Sequence, residues 1–93
     1  MIIHMSIHTP KPGKEGELIA SMRRFGAAGA SQSGFAEGPV LRDARSRRLI
    51  GMARWAGEES WRAGVEAMRA AVEDDPFDEW EAAETEGFLL EEV

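Results

Sequence analysis

The chain has 93 residues, which is enough for one small domain, residues 1–93, with a thin hydrophobic core. Hydrophobic residues make up 43% of it and charged residues 30%, a composition that excludes an intrinsically disordered chain. The absence of cysteine excludes disulfide scaffolds, thiol nucleophiles and cysteine-ligated metal centres. No apolar run approaches the length of a membrane span, and the N-terminus does not resemble a signal peptide. We therefore expect a cytoplasmic protein that does not bind membranes.

The charges are distributed unevenly along the sequence. Residues 1–72 hold 7 of the 17 acidic residues and all 11 basic residues, whereas residues 73–93 hold the other 10 acidic residues and no base. The net charge of −6 argues against nucleic-acid binding, which depends on Lys and Arg. The one basic cluster is either a solvated hairpin tip or a surface that meets the acidic C-terminal strand of a second copy. It comprises Arg42, Arg45, Arg47 and Arg48.

The first half of the chain predicts a strand, a helix and a second strand. Residues 2–9 alternate between an apolar and a polar face, which is typical of a β-strand. The polar face holds His4, Ser6 and His8. Residues 14–30 carry apolar side chains at helical spacing, with Met22 on the apolar stripe. Residues 35–43 predict a second strand, in which Pro39 fits only an edge or a strand start.

The second half predicts a hairpin, a second helix and a last strand. A turn at residues 44–47 leads into a third strand at residues 49–55. Residues 58–73 repeat the apolar stripe of a helix, and residues 77–84 predict a short helical turn. Residues 86–93 predict the fourth strand. The order is β-α-β-β-α-β, which indicates an α+β, ferredoxin-like fold with an antiparallel sheet and both helices on one face.

The other face of such a sheet has no helix to cover it. In the first strand this face carries Ile3, Met5 and Ile7, so it is partly apolar. Exposed apolar surface of this kind is normally buried against another element. We therefore expect a homodimer that packs sheet against sheet, closing a dimeric α+β barrel.

Four short stretches carry a resemblance to a known family. They are Lys11–Leu18 after the first strand, Ser33–Phe35, Val40–Asp43, and Leu49–Trp55 running into a helix with Glu58 and Glu59. Together they make the chain resemble the antibiotic biosynthesis monooxygenase (ABM) domain family over nearly its whole length. The resemblance implies the dimeric α+β barrel. It also implies oxidation of a phenolic or quinol substrate by O₂ with no cofactor.

Several positions depart from particular branches of this family. Haem-degrading members of the family have an Asn at the position that Ser6 occupies in this chain. Trp61 lies about one helical turn before the position of their Trp. Acidic residues take the place of the His near the end of that helix, so haem is not expected as a cofactor. The chain also lacks Tyr and Asn altogether, which excludes a tyrosine proton relay. Trp55 does match the tryptophan that lines the pocket in cofactor-free members.

The catalytic candidates are His4, His8 and Arg54. A neutral imidazole can take a proton from a phenol or hydroquinone, which leaves an electron-rich anion able to reduce oxygen. Arg54 is a candidate to neutralise that anion or to bond across the dimer, and its alternative role is a surface ion pair. The alternative for the histidines is a packing role for His4 and an exposed strand end for His8. The two lie roughly 13 Å apart along a strand, so no metal site is expected.

The binding candidates are Ser6, Met22, Trp55 and Trp61. Ser6 lies on the strand face that should line the pocket, and Trp55 would stack on a planar ligand. The alternative for Trp61 and Met22 is packing in the core, because both lie on helical apolar stripes. The acidic run after the second helix is expected to be a solvated face. It comprises Glu73, Asp74, Asp75, Asp78 and Glu79.

Three functions remain open from the residues. The first is a monooxygenase that oxidises a small phenolic or quinol substrate with O₂. The second is a dimeric barrel that binds or senses a small aromatic ligand without catalysis, which the missing Tyr and Asn favour. The third is isomerase-like or decarboxylase-like chemistry, which needs only an acid–base residue.

Overall fold

The protein forms one antiparallel sheet with helices on one of its faces. The computed structural model describes residues 1–93. Its elements are β1 (Ile2–His8), α1 (Glu15–Ala30), β2 (Phe35–Glu37), β3 (Val40–Arg42), β4 (Leu49–Trp55), α2 (Glu58–Ala70), α3 (Phe77–Trp80) and β5 (Glu86–Glu91). Strand β1 lies between β4 and β5, while β2 and β3 both pair with β4. The predicted ferredoxin-like α+β fold is confirmed.

The second predicted strand is divided into β2 and β3. Pro39 has no N–H to give to the sheet, and with Gly38 it separates the two short strands. The register against β4 also shifts between Phe35 and Glu37. The carbonyl of Pro39 still accepts a hydrogen bond from the Met52 N–H at 3.2 Å, so both pieces stay attached to β4. The sheet therefore has five strands instead of the four predicted.

The other elements follow their predictions with small changes at their ends. Helix α2 ends at Ala70, three residues before the predicted boundary, and turns lead from it to Pro76. The predicted short turn is the four-residue helix α3, and β5 ends at Glu91. None of the helices combines the length and the apolar character needed to cross a membrane.

Trp55 lies at the centre of the core between the sheet and the helices. Its side chain is 0% exposed and packs with Ile2, Ala53 and Met68. A Cβ atom at Gly64 would lie 2.5 Å from the indole ring, so only a glycine lets α2 approach the ring this closely. A second small cluster, formed by Leu18, Met22 and Leu49, fills the other end of the same layer.

The face of the sheet opposite the helices carries apolar side chains in rows. In the register of the strands Met5 lies opposite Met52 on one side and Phe88 on the other, and Ile3 lies opposite Leu90. Phe88 and Leu90 are each 39% exposed. Nothing in the chain covers these rows.

One member of the basic cluster contacts the acidic strand within the same chain. Arg48 Nη1 donates to Glu86 Oε2 at 3.1 Å. Arg42 likewise pairs with Glu15 on α1. These two arginines therefore have partners in their own chain, and a second copy is not needed to neutralise them.

Candidate functional site

A cavity of about 290 Å³ lies between the sheet and the helices. Part of its wall is apolar, with side chains from β3, α1, the turn after α2, and α3, including Met22, Phe25, Val40, Val72 and Phe77. The polar part is formed by His4, Ser6, His8, Ser21, Arg69 and Thr85. The alternation of β1 explains why three of these polar residues share one wall. An apolar cavity with a few convergent polar groups is the usual form of a small-molecule site.

Ser6, His8 and Glu81 form a continuous hydrogen-bonded chain in the polar part of the wall. His8 Nδ1 lies 2.6 Å from Glu81 Oε1, and His8 Nε2 lies 2.9 Å from Ser6 Oγ. An ionised carboxylate can only accept a hydrogen bond. The proton of the neutral imidazole is therefore on Nδ1, and the Nδ1–H donates a hydrogen bond to Glu81. In the neutral imidazole Nε2 is then the acceptor for the Ser6 hydroxyl. Ser6 is thus linked to a base that is itself held by a carboxylate.

Glu81 is brought to His8 by the backbone at the end of α3. The Ala82 N–H donates to the Thr9 carbonyl at 2.7 Å, and Glu81 forms an isolated antiparallel bridge with Pro10. The hydroxyl of Thr85 donates to both oxygens of the Glu81 carboxylate, at 2.7 and 2.8 Å. With its side chain 8% exposed, Glu81 is held firmly in this orientation.

His4 lies farther along the same wall in a different environment. Its ring meets Trp61 edge-on at 5.7 Å between centroids. Burial, with a smaller contribution from the positive charge of Arg69, lowers the pKa of His4 below its ordinary value of 6.5. His4 has no carboxylate partner of the kind that His8 has. His4 is therefore a neutral hydrogen-bonding group at neutral pH, and His8 is the better placed proton acceptor.

The acidic run after α2 is not a solvated face throughout. Asp75 is half-buried. Its carboxylate accepts a hydrogen bond from Ser21 Oγ at 2.6 Å and forms an ion pair with Arg24 at 2.8 Å. The hydrogen bond from Ser21, and then Arg24, lower the pKa of the Asp75 carboxyl. Asp75 thus attaches the turn after α2 to helix α1, where it supports the cavity wall.

Three of the residues predicted from the sequence do not line the cavity. Trp55 belongs to the hydrophobic core and is fully buried, because its indole ring packs between the end of β4 and Gly64 of α2. Arg54 is on the opposite face of the sheet, where its guanidinium donates to Glu37 at 3.2 Å. The structure thus gives Trp55 a packing role and Arg54 an ion pair. Trp61 reaches the site only through its contact with His4.

The remaining predicted residues are brought together on the cavity wall. His4, Ser6, His8 and Met22 all line it, although Met22 is also part of the core. His8 is 8% exposed, so the expectation of an exposed strand end is wrong. No group of three or more His, Asp or Glu side chains is placed to hold a metal ion.

Sequence reasoning missed Glu81 and Arg69. Glu81 is 73 positions from His8, in a segment where acidic residues are abundant, so spacing gives no signal for this pair. Arg69 follows Met68 on α2 and resembles any exposed helical arginine in the sequence. A weak signal for Glu81 is its place just after the short apolar turn with Phe77 and Trp80, which must pack inward.

Comparison with known proteins finds relatives by structure but not by sequence. No protein-family profile matches the sequence, and no curated protein matches it. Among solved structures, SnoaB from Streptomyces nogalater, a cofactor-independent oxygenase, superposes with a TM-score of 0.78 at 17% identity, covering 98% of this chain and 91% of its own. The chain has the fold of ABM proteins.

Two other solved structures extend this likeness. An antibiotic biosynthesis monooxygenase matches with a TM-score of 0.77 at 10% identity, over 100% of this chain and 99% of the other. A conserved protein from Methanosarcina mazei Go1 matches with a TM-score of 0.82 at 16% identity, over 99% and 92%. The ABM resemblance noted in the sequence is thus confirmed at the level of the fold. Fold alone does not assign a reaction, so function rests on the site itself.

Proposed function

We propose that this protein is a cofactor-independent monooxygenase that oxidises a small phenolic or quinol substrate with O₂. The observation that carries the proposal is the Ser6–His8–Glu81 chain, which opens on an apolar cavity of about 290 Å³. The likeness in fold to a cofactor-independent oxygenase supports it.

The first step is removal of the phenolic proton. The substrate hydroxyl donates to Ser6 Oγ, Ser6 passes its own proton to His8 Nε2, and Glu81 stabilises the imidazolium that forms. The transfer from Ser6 to His8 runs along a hydrogen bond of 2.9 Å, and the contact of His8 with Glu81 is 2.6 Å. General-base catalysis of this kind contributes about 10²–10⁴-fold to a rate.

The phenolate then supplies the electrons for O₂. Its ring carbon para to the oxygen bonds to one oxygen atom, giving a hydroperoxide once a proton is added from His8. Loss of water breaks the O–O bond and leaves a quinone. One phenol and one O₂ thus become one quinone and one water, so no external reductant is required.

Other residues of the cavity hold the substrate during these steps. Met22, Phe25 and Phe77 offer apolar and aromatic contacts for the ring. Arg69 also lines the wall, where its half-exposed guanidinium is paired with Glu66 at 2.6 Å.

We further propose that the protein is a homodimer formed through the bare face of the sheet. The rows of Met5, Ile7, Ile50, Met52 and Phe88 on that face form a continuous apolar surface. Pairing two such faces would remove them from water and close the barrel. The cavity lies on the opposite, helical side, so each subunit would keep its own site.

Oxygen consumption with isotopic labelling tests the proposed reaction. We expect the protein, with no added cofactor, to take up one O₂ per 1-naphthol oxidised, and to place one atom of ¹⁸O₂ in the quinone and the other in water. Binding without oxygen uptake would contradict the oxygenase and identify a ligand-binding barrel. Rearrangement without uptake would instead identify isomerase-like chemistry.

A further inference from the structure

We propose that Ser6 is also a nucleophile, and that the same cavity cleaves small aryl esters through a Ser6–His8–Glu81 triad. The activity would be acyl transfer to water and would need no oxygen. It goes beyond the proposed oxygenase, although both use Ser6, His8 and Glu81. Serine, histidine and a carboxylate in this order of contact are the arrangement that activates a hydroxyl in hydrolases on unrelated folds.

The distances in the chain match those required for nucleophile activation. Ser6 Oγ lies 2.9 Å from His8 Nε2, within the range for direct proton transfer. His8 Nδ1 lies 2.6 Å from Glu81, which fixes the imidazole tautomer that leaves Nε2 free to accept. Thr85 holds both oxygens of that carboxylate. The nucleophile, the base and the orienting group are therefore all present.

Ser6 faces the cavity, but the space beside its hydroxyl is narrow on the side of Gly51. Gly51 is its neighbour across the sheet, and a Cβ atom there would lie 3.0 Å from Ser6 Oγ and 3.3 Å from Met22 Cε. An ester carbonyl would therefore reach Ser6 from the cavity, which Ser6 lines together with Phe25 and Val40.

Ser21 provides an internal comparison. It also lines the cavity and hydrogen-bonds to a carboxylate, Asp75, at 2.6 Å. No imidazole lies between them, so nothing is placed to take the Ser21 proton as the hydroxyl attacks. Its hydroxyl also donates directly to the Asp75 oxygen. Of the two cavity serines, only Ser6 has the contacts of a nucleophile.

The reaction balances without a further reactant except water. Ser6 Oγ bonds to the carbonyl carbon as its proton moves to His8 Nε2. The bond from that carbon to the aryl oxygen breaks, and the aryl oxygen takes the proton. Water then attacks the acyl carbon and gives one proton to Nε2. The bond from that carbon to Ser6 Oγ breaks, Nε2 returns the proton to Oγ, and the carboxylic acid leaves.

Labelling with a fluorophosphonate tests the nucleophile, because this reagent modifies activated serines with loss of fluoride. We expect one label per chain, located at Ser6 by peptide mapping, on the full-length wild-type protein. Ser6→Ala should remove the label, and His8→Gln should slow labelling at least 100-fold. Ser31→Ala is the matched control, since Ser31 is an exposed serine whose hydroxyl donates to a helix carbonyl. It should label as the wild type does.

Phenyl acetate hydrolysis under nitrogen tests turnover and the positioning role of Glu81. In Glu81→Gln the amide can donate to His8 Nδ1, which turns Nε2 into a donor that cannot accept from Ser6. We expect kcat to fall at least tenfold with KM little changed, whereas a merely structural role would lower stability and leave kcat per folded molecule intact.

Two results would overturn the inference. One is label on Ser21 or on lysines, and the other is ester hydrolysis that survives in Ser6→Ala. Because neither assay depends on oxygen, their failure leaves the proposed oxygenase standing. Failure of oxygen uptake likewise leaves the esterase standing.

Discussion

His8→Gln is expected to lower kcat for oxygen-dependent turnover by about 10²–10⁴-fold, with a much smaller change in KM. Glutamine can keep hydrogen bonds to Ser6 and Glu81, but it cannot hold a transferred proton. The loss should therefore fall on the chemical step and spare substrate binding, which depends on the apolar wall. Steady-state oxygen uptake as a function of substrate concentration separates kcat from KM.

His4→Gln is the comparison that makes the His8 result informative. His4 lines the same cavity, but burial and Arg69 lower its pKa, and no carboxylate stabilises its protonated form. Its replacement should reduce kcat by less than about tenfold. If His4→Gln is the more damaging change, the assignment of the base to His8 is wrong.

Met5→Lys is expected to dissociate the proposed homodimer into monomers. Met5 lies on β1, between Met52 and Phe88, on the face of the sheet away from the helices. In a two-fold interface each dimer would have to bury the new ammonium group twice. A cost of about 3 kcal/mol or more weakens association by more than 100-fold.

Sedimentation equilibrium over a range of concentrations measures this change. Ala27→Lys is the matched control, because it adds the same charge at an exposed position on α1. It should leave the dimer intact. A wild type that sediments as a 10.2 kDa monomer throughout, or a Met5→Lys protein that remains a dimer, would exclude this face as the interface.

The sequence predicted the fold well because its periodicities were clear. The alternation of residues 2–9 predicted both the strand and the shared face of His4, Ser6 and His8, which the cavity wall reproduces. The division of the second strand was less evident, since Pro39 weakens a strand without showing whether it ends one. In the structure the segments on both sides of Pro39 pair with β4, so the proline divides the strand into two and does not end it.

The site itself was only half predictable from the sequence. The β1 residues came from local alternation, but Glu81 reaches His8 only because the chain after α3 returns to Thr9 and Pro10, just beyond β1. No local pattern encodes that long-range contact. Trp55 shows the opposite difficulty, because a tryptophan at a strand end suits a ligand wall and a core equally well until Gly64 brings α2 over it.

The most direct test of the proton-accepting cavity is the ionisation state of a bound phenol. 4-Nitrophenol can be titrated with protein at a pH where the free dye is neutral, while the phenolate absorption band is followed. We expect the wild type to bind the dye as the phenolate and His8→Gln to bind it in its neutral form. A dye that stays neutral in the wild type, or that ionises equally well without His8, would contradict the proton transfer on which the proposed oxidation depends.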